Sequence, residues 1–212
     1  MQNVLKICLN VLHSYVVHNR LTKCSISTMQ VSTHKVPFVH TIINNFFDDA
    51  ELPSVFSEIN YLNKHSQDTQ DNGDPKSSNM TAVHLDKHYK EDRHVSSILR
   101  YNRKIFNIDL SDNVFSNYIK MCNFDVTQLN CYNGDGSYAP HPDLAVMSAV
   151  TLLHEDPKQY TGGELCFSDY DYTPKMENNT TILFPSFEQH EVKHIKGSGR
   201  YSLNQFFFVH IK

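Results

Sequence analysis

Short apolar runs separated by turn residues dominate the C-terminal half of the chain. Residues 148–153 are mostly apolar and include β-branched residues, residues 180–184 read TTILF, and residues 201–211 form a long apolar run. Runs of this length and composition are typical of buried strands. Six of the seven glycines lie within 134–199, so the turns expected of a β-rich domain are concentrated there.

The N-terminal half begins with a strand-like run and continues with a helix-like one. Residues 36–47 are apolar and β-branched, which predicts a first strand. Asp48 or Asp49 can cap a helix that extends to about Leu62. The apolar stripe that supports this helix consists of Val55, Phe56, Ile59 and Leu62.

Two further helices are predicted, over residues 92–106 and 112–122. The basic residues within 87–104 alternate with acidic ones, which predicts a solvated helix face rather than a surface for nucleic acid. The polar segment 63–79 contains an Asp-Asn-Gly-Asp-Pro sequence and is interpreted as a loop.

Residues 1–28 stand apart from the rest. Their apolar residues recur at helical spacing, but polar residues interrupt the run, so it is too short and too polar to span a membrane. No small-residue cleavage site of a signal peptide follows. We therefore expect an N-terminal extension of uncertain role and a single domain over 29–212.

Composition limits the class of protein. Forty per cent of the residues are hydrophobic and 20% are charged, as in globular domains, and a net charge of −4 gives no general attraction to nucleic acid. The five cysteines are odd in number and contain no Cys-x-x-Cys pair, which excludes a disulfide framework and a zinc–thiolate site. A reducing, cytoplasmic location and no membrane partner are expected.

The most specific feature is a His-Asp-His triad formed by His141, Asp143 and His190. Residues i and i+2 of a strand share a face, so His141 and Asp143 can bind one ion from one side. Pro142 between them suits a strand end. Two imidazoles and one carboxylate are the ligands of a facial triad, which leaves about three positions of an octahedral Fe(II) ion free.

Two features flank the triad. Residues 132–138 (YNGDGSY) contain Asn-Gly and Asp-Gly pairs, which predict a tight turn. Arg200 follows His190 by ten residues and can hold an acidic co-substrate beside the metal. His154 and His194 also lie near the motif, and we expect them to be surface histidines rather than ligands.

Residues 126–209 resemble the iron- and 2-oxoglutarate-dependent dioxygenases of the prolyl 4-hydroxylase-like superfamily. The matching stretches are CYNGDGSYAPHPD, TLLHEDPKQYTGGELCF and HEVKHIKGSGRYSLNQFFF. The middle stretch is similar to the bacterial and phage branch of that superfamily. The resemblance implies a mainly β fold, a double-stranded β-helix (jelly roll) with a helical layer packed on one sheet.

The resemblance also implies roles for individual residues. The triad matches the Fe(II) ligands, and Arg200 matches the basic residue that pairs with the distal carboxylate of 2-oxoglutarate. Ser202 lies on the same strand face as Arg200 and can donate a second hydrogen bond, and Tyr132 matches a tyrosine whose hydroxyl reaches the same co-substrate. Tyr138 and Thr151 are weaker candidates for lining the pocket.

One departure from the family pattern concerns the strand that carries Thr151. The family often has Tyr-Leu-Asn or Phe-Leu-Ser after this threonine, whereas this chain has Leu153-His154-Glu155. The co-substrate contacts made by this strand are therefore left open.

The implied activity is hydroxylation of an unactivated C–H bond, with O₂ and 2-oxoglutarate consumed and succinate and CO₂ released. Ascorbate commonly supports such enzymes. The primary substrate is a peptide, a protein or a small molecule, and a prolyl residue is the best-known target of the family. We expect substrate choice to depend on loops 63–81 and 168–179, in which Tyr170, Asp171 and Tyr172 form either a binding lip or an exposed polar turn.

Two other classes of function remain open from the sequence. Two histidines and one carboxylate also make an open zinc site, so a zinc-dependent hydrolase can use the same triad. Such an enzyme needs a general base nearby and has no use for Arg200. A non-enzymatic jelly-roll binding module needs neither the triad nor a buried cation. The sequence does not indicate an oligomeric state.

Overall fold

The computed structural model describes residues 28–65, 77–110 and 114–210, and within those ranges it contains ten strands and four α-helices. The strands are β1 (Gln30–His34), β2 (His40–Asn44), β3 (Ser77–His84), β4 (Phe124–His141), β5 (Met147–His154), β6 (Tyr160–Gly162), β7 (Leu165–Cys166), β8 (Thr180–Pro185), β9 (His190–Gly197) and β10 (Arg200–Phe208). The helices are α1 (Leu52–His65), α2 (Leu85–His88), α3 (Ser97–Asn102) and α4 (Val114–Met121).

The strands form two layers joined by the long strand β4. All ladders between these strands are antiparallel, and the larger layer has the order β1-β2-β8-β5-β10-β4, with β3 also pairing with β4. β4 pairs with β10 from Phe124 to Tyr132 and with β9 near its other end, from Gly136 to His141. β9 in turn pairs with β6 and β7 to complete the smaller layer.

Two apolar clusters hold these layers together. Residues from both strand layers, including Val150, Ile182 and Val192, form the cluster inside the sandwich. The second cluster joins the outer face of the larger layer to the helices and includes Leu153 and Leu203. Alternation along each strand separates the two sets. The predicted jelly roll with helices packed on one sheet is confirmed.

Helix α1 begins as the sequence indicates. The Asp48 carboxylate accepts hydrogen bonds from the backbone N–H groups of Ala50 and Glu51, at 2.9 and 2.8 Å. The Glu51 carboxylate accepts from the N–H of Asp48 at 3.0 Å, which completes a reciprocal capping box. Three residues of the predicted stripe are fully buried, namely Val55, Ile59 and Leu62.

The N-terminal strands differ from the prediction. Only His40–Asn44 of the predicted strand 36–47 is extended, and an earlier strand, β1, precedes it. All five residues of β1 are exposed, so this edge strand carries no apolar pattern to detect. Asn45, with φ of 53°, ends β2.

The prediction of a tight turn over residues 132–138 is wrong. These residues continue β4, and Gly134 has φ of +91°. The ladder with β9 shifts register between Gly136 and Tyr138 and again before His141. Glycine pairs mark bulges in bent strands as well as hairpins, and here the bulges bend β4 from one layer into the other.

The prediction of a solvated basic face over 87–104 holds for the exposed Lys90 and Arg100, but other basic residues of the range bind the sheet. Arg93 and Arg103 both bind the carboxylate of Asp125 at 3.0 Å, and Asp125 is completely buried. Gln205 on β10 donates a further hydrogen bond of 2.9 Å to the same carboxylate. The predicted helix 92–106 is itself divided, with α3 between two short 3₁₀ turns. These arginines fasten the helical layer to the sheet.

Several predictions fall outside the described residues. Residues 1–27 of the expected N-terminal extension and residues 66–76 of the expected loop are not described. Residues 77–79 of that loop belong to β3 instead. Across the described residues, the helices are too short or too polar to cross a membrane. The division of the chain at residue 28 stays a prediction.

Candidate active site

The His-Asp-His triad assembles where β4 meets β9. His141 is the last residue of β4, His190 is the first residue of β9, and the two are register partners. Asp143 follows just beyond β4, and its carboxylate lies 3.7 Å from Nε2 of His141 and 3.6 Å from Nε2 of His190. One ligand atom from each residue lies within 4.8 Å of the others. A single ion can therefore contact all three.

Both imidazoles are held in the tautomer that a metal requires. Nδ1 of His141 donates to the carbonyl of Ala139 at 2.8 Å, and Nδ1 of His190 donates to the carbonyl of Glu188 at 2.9 Å. With the proton on Nδ1, the lone pair of each ring is on Nε2, the atom that faces Asp143.

The carboxylate of Asp143 is fixed by serines that sequence reasoning missed. The Ser148 hydroxyl donates to Oδ2 of Asp143 at 2.6 Å and lies 2.8 Å from the Ser186 hydroxyl. The backbone N–H of Asp143 donates to the carbonyl of Ser186 at 2.8 Å. Ser148 lies in an apolar strand and Ser186 in a short turn, so neither carries a local signal of this role.

Burial favours the neutral form of His190. Loss of hydration lowers the pKa of its imidazole, the nearby His141 lowers it further, and the Asp143 carboxylate opposes the change. A neutral imidazole is the form that coordinates a metal.

Arg200 lies in a row of three residues that crosses three strands. Tyr132 on β4 and His154 on β5 are its register partners on either side. Arg200 is 2% exposed, and its guanidinium carbon lies 4.8 Å from the centre of the Tyr132 ring. His154 is half-buried in this row, so the prediction of an ordinary surface histidine is wrong for it, whereas His194 is exposed.

Four buried polar atoms of this row and of its neighbour Ser202 make no hydrogen bond of regular geometry to another described residue, namely Nε and Nη1 of Arg200 and the hydroxyls of Tyr132 and Ser202. The three side chains lie close enough to interact electrostatically with one another. Burial lowers the pKa of Arg200, but a guanidinium stays charged at neutral pH. Burial also raises the pKa of the Tyr132 phenol, which keeps it a neutral donor. A buried cation beside two hydroxyl groups suits a carboxylate.

A cavity extends from the triad along the inner faces of β4 and β10. Its wall includes both Tyr132 and Ser202 as well as all three residues of the triad, and it shares Val150 and Leu165 with an adjoining hollow that Arg200 lines. Tyr138 also lines it, with its ring 4.0 Å from the ring of His141.

Three amides in the cavity wall were missed by the sequence analysis, namely Gln128, Asn130 and Asn204. They alternate at a spacing of two with Tyr132 and Ser202, so the strand period could have indicated them.

Thr151 does not lie in this cavity. Its neighbour Val150 lines the wall, and successive residues of a strand point to opposite faces. The Thr151 hydroxyl instead lies 2.6 Å from that of Thr181. The structure therefore does not place Thr151 among co-substrate contacts.

The segment 168–172 packs against Phe38 and His40, near the N-terminal end of the described residues. Tyr172 donates from its hydroxyl to Nε2 of His40 at 2.9 Å, and Tyr170 donates to the Glu188 carboxylate at 2.9 Å. The Tyr170 ring lies 5.0 Å from the Phe38 ring. Residues 168–171 form an exposed 3₁₀ turn, these contacts hold the two tyrosines, and a role as a binding lip stays a prediction.

Comparison of sequences gives the same picture. Residues 127–208 match the model of the 2OG-Fe(II) oxygenase superfamily. A PKHD-type hydroxylase of Stenotrophomonas maltophilia (strain R551-3) is 32% identical over 95 residues, which are 39% of this chain and 41% of the relative. The PKHD-type hydroxylase PiuC of Pseudomonas aeruginosa is 32% identical over 87 residues, or 34% of this chain and 38% of that one. The chain thus spans about two-fifths of the length of the curated relatives it matches.

Solved structures share the fold at low sequence identity. A prolyl-4-hydroxylase from Pseudomonas putida superposes with a TM-score of 0.57 and 16% identity, over 81% of this chain and 93% of that one. A viral collagen prolyl hydroxylase from Paramecium bursaria Chlorella virus-1 gives 0.52 and 16%, over 79% and 94%.

The residues of the site fit Fe(II) and 2-oxoglutarate, the two groups named in the matched family. The triad presents two Nε2 lone pairs and a carboxylate to one point, the ligand set of a non-haem Fe(II) centre. The unpaired donors around Arg200 fit an anionic co-substrate. Residues 127–208, which match the model of the 2OG-Fe(II) oxygenase superfamily, supply both the triad and Arg200.

Proposed function

We propose that this chain is an Fe(II)- and 2-oxoglutarate-dependent dioxygenase that hydroxylates an unactivated C–H bond and releases succinate and CO₂. The observation that carries the proposal is an open triad in a cavity that adjoins a hollow lined by the buried Arg200. A zinc hydrolase has use for the first feature but not for the second.

In this proposal the triad holds Fe(II) through Nε2 of His141, Nε2 of His190 and the carboxylate of Asp143. The bound iron, together with 2-oxoglutarate and O₂, supplies the oxidising chemistry. The protein contributes position, because the carbonyls behind both rings and Ser148 behind Asp143 fix the three ligand atoms.

Arg200 is proposed to bind the distal carboxylate of 2-oxoglutarate. Its guanidinium has buried N–H donors free for a charge-assisted hydrogen bond to a carboxylate, and the hydroxyls of Tyr132 and Ser202 lie beside it as further donors. Arg200 is buried, and the low dielectric of its surroundings makes this pairing stronger than it would be in water. Val150 and Leu165 line both the cavity at the triad and the adjoining hollow at Arg200, so they give both spaces an apolar wall.

The primary substrate is proposed to be a prolyl residue of a peptide or protein. The support is the names of relatives, which include PKHD-type hydroxylases and prolyl hydroxylases. The amides of Gln128 and Asn204 line the cavity beside the triad and are proposed to contact this substrate. Ascorbate as a supporting reductant rests on the resemblance alone.

The test is turnover of 2-oxoglutarate by the purified protein under air, with Fe(II) or Zn(II) and with or without proline-containing peptides. We expect one succinate for each 2-oxoglutarate consumed with Fe(II), faster in the presence of a substrate peptide. Ester or peptide hydrolysis with Zn(II), and no turnover with Fe(II), would favour the hydrolase. Metal binding without either reaction would favour the non-enzymatic binding module.

A further inference from the structure

The backbone passes close to Arg200 at a pair of glycines between β6 and β7. Gly162 ends β6 and Gly163 follows it with φ of +76°, while the N–H of Gly163 donates to the carbonyl of His194 at 3.2 Å. Side chains rarely adopt this φ, so both glycines first suggest a simple requirement of the turn.

Gly163 meets a second requirement, because a side chain there would collide with Arg200. A Cβ atom at position 163 would lie 2.8 Å from Cδ and 2.8 Å from Nε of Arg200, and 2.6 Å from Cγ1 of Ile195. Carbon–carbon contacts in proteins are near 3.5–4.0 Å, so one of these groups would have to move. At Gly162 the collision is instead with the carbonyl of His194, at 2.1 Å.

Arg200 has little freedom to move away. It is 2% exposed, and the Tyr132 ring lies against its guanidinium. The guanidinium of Arg200 therefore lies between the backbone at Gly163 and the ring of Tyr132. The contact falls on Nε itself, which is one of the two unpaired donors.

We infer that Gly163 is a positioning residue for co-substrate binding, because its missing side chain sets where the donors of Arg200 lie. The inference rests on the proposed function. It assigns to Gly163 an effect on 2-oxoglutarate affinity that is separate from its effect on the turn. Gly163 should have no effect on metal affinity, because metal affinity depends on the triad.

Gly134 offers a matched control. It also has a positive φ, of +91°, but a Cβ atom there would meet nothing within 4 Å. Gly134→Ala thus imposes backbone strain of the same kind without touching a neighbour. Any loss specific to Gly163→Ala then reports the contact with Arg200.

The experiment measures dissociation constants for 2-oxoglutarate by calorimetry on Mn(II)-loaded protein, with the Mn(II) constant and melting temperature measured alongside. We expect Gly163→Ala to weaken 2-oxoglutarate binding by roughly ten- to a hundredfold, since small misplacements of a positioning group have effects of this size. Mn(II) affinity should be unchanged. Gly134→Ala should leave both constants within about twofold of the parent, because only mutations in contact with the site should couple to it.

A double-mutant cycle tests the route of the effect. If Gly163 acts through Arg200, then Gly163→Ala should have no further effect on 2-oxoglutarate affinity in an Arg200→Met background. Should Gly163→Ala fold poorly, its combination with Ile195→Ala removes the Cγ1 collision and leaves the one with Arg200.

The outcomes separate this inference from the proposed function. Parent affinity in Gly163→Ala, or the same loss with and without Arg200, overturns the positioning role while 2-oxoglutarate binding by the parent stands. A parent protein that binds Mn(II) but not 2-oxoglutarate overturns the proposed function, and the inference with it.

Discussion

Each histidine of the triad is oriented by the backbone of its own segment. Nδ1 donates to the carbonyl two residues earlier in both cases, so ring orientation depends on local chain geometry rather than on distant side chains. Asp143 depends instead on a side chain, the hydroxyl of Ser148.

Replacement of any one triad residue by alanine should abolish Fe(II) binding and 2-oxoglutarate turnover without unfolding the protein. Iron needs all three ligands, whereas apolar burial holds the sandwich. Metal content and circular dichroism measure the two effects. His194→Ala, a change to an exposed histidine four residues from His190, is the control and should retain both iron and turnover. A triad variant that keeps iron and turnover would remove that residue from the site.

Arg200→Met should separate affinity from stability. Loss of a charge-assisted pair should weaken 2-oxoglutarate binding by about 2–4 kcal/mol, or roughly 30- to 1000-fold. The melting temperature of the protein without co-substrate should not fall, because the change removes a buried charge that loss of hydration penalises and that only the more distant Glu164 stabilises among the described carboxylates. Calorimetry and thermal unfolding give the two values. Affinity within a few-fold of the parent would mean that another residue is the anchor.

At the scale of elements, the helical layer is fastened to the sheet by one carboxylate. Asp125 on β4 binds arginines from the two 3₁₀ turns on either side of α3 and also Gln205 on β10. Apolar burial is non-directional, so this set of charged hydrogen bonds adds a directional contact between the helices and the sheet.

Asp125→Ala should lower the free energy of unfolding by about 2–4 kcal/mol. Removing one partner of a fully buried pair costs about 3–5 kcal/mol, and the partial exposure of both arginines reduces this. Urea denaturation measures the change. Arg103→Ala should cost less than about 1 kcal/mol, because the Arg103 side chain is 52% exposed and Arg93 remains. Equal losses in the two variants would contradict a central role for Asp125.

His40 should make stability depend on pH. Burial lowers the pKa of its imidazole, and Nδ1 donates to the Phe38 carbonyl while Nε2 accepts from Tyr172. The unfolded chain therefore binds more protons, so stability should fall as pH drops below about 6.5, the ordinary value for histidine. The free energy of unfolding of metal-free protein at pH 7.5 and 5.5 gives the slope. The pKa values of His154 and His190 are also lowered by burial, so both residues add to the loss of stability at low pH. His40→Gln should therefore reduce the slope without removing it. An unchanged slope would exclude His40 as a contributor.

At the scale of the whole molecule, the two ends of the sequence should respond differently to truncation. A chain that begins at Met29 should fold, bind Fe(II) and turn over 2-oxoglutarate like the parent, because residues 1–28 carry no ligand or motif. Removal of residues 206–212 should prevent folding. It removes the buried Phe207, worth roughly 3–5 kcal/mol, and shortens β10, which lies between β5 and β4. Solubility and circular dichroism are the measurements, and the reverse result would show that the domain limits are misplaced.

The sequence predicts what is local and misses what depends on register or distance. His141 and Asp143 form a short motif, and the spacing of two that relates Ser202 to Arg200 follows from strand period alone. The position of Thr151 outside the cavity wall cannot be predicted, because an apolar run does not show which of its faces points inward. Asp125, one of the partners of Arg93, lies 32 residues downstream, which no local pattern can indicate.

The fixed tautomers of the triad histidines have a consequence for metal selectivity. A site whose lone pairs are aligned before any ion arrives favours divalent ions in general, and the intrinsic order places Fe²⁺ below Ni²⁺, Cu²⁺ and Zn²⁺. Alignment of the lone pairs alone therefore gives Fe(II) no advantage over these competitors. The metal supply in the cell and during purification then contributes to which ion the protein carries.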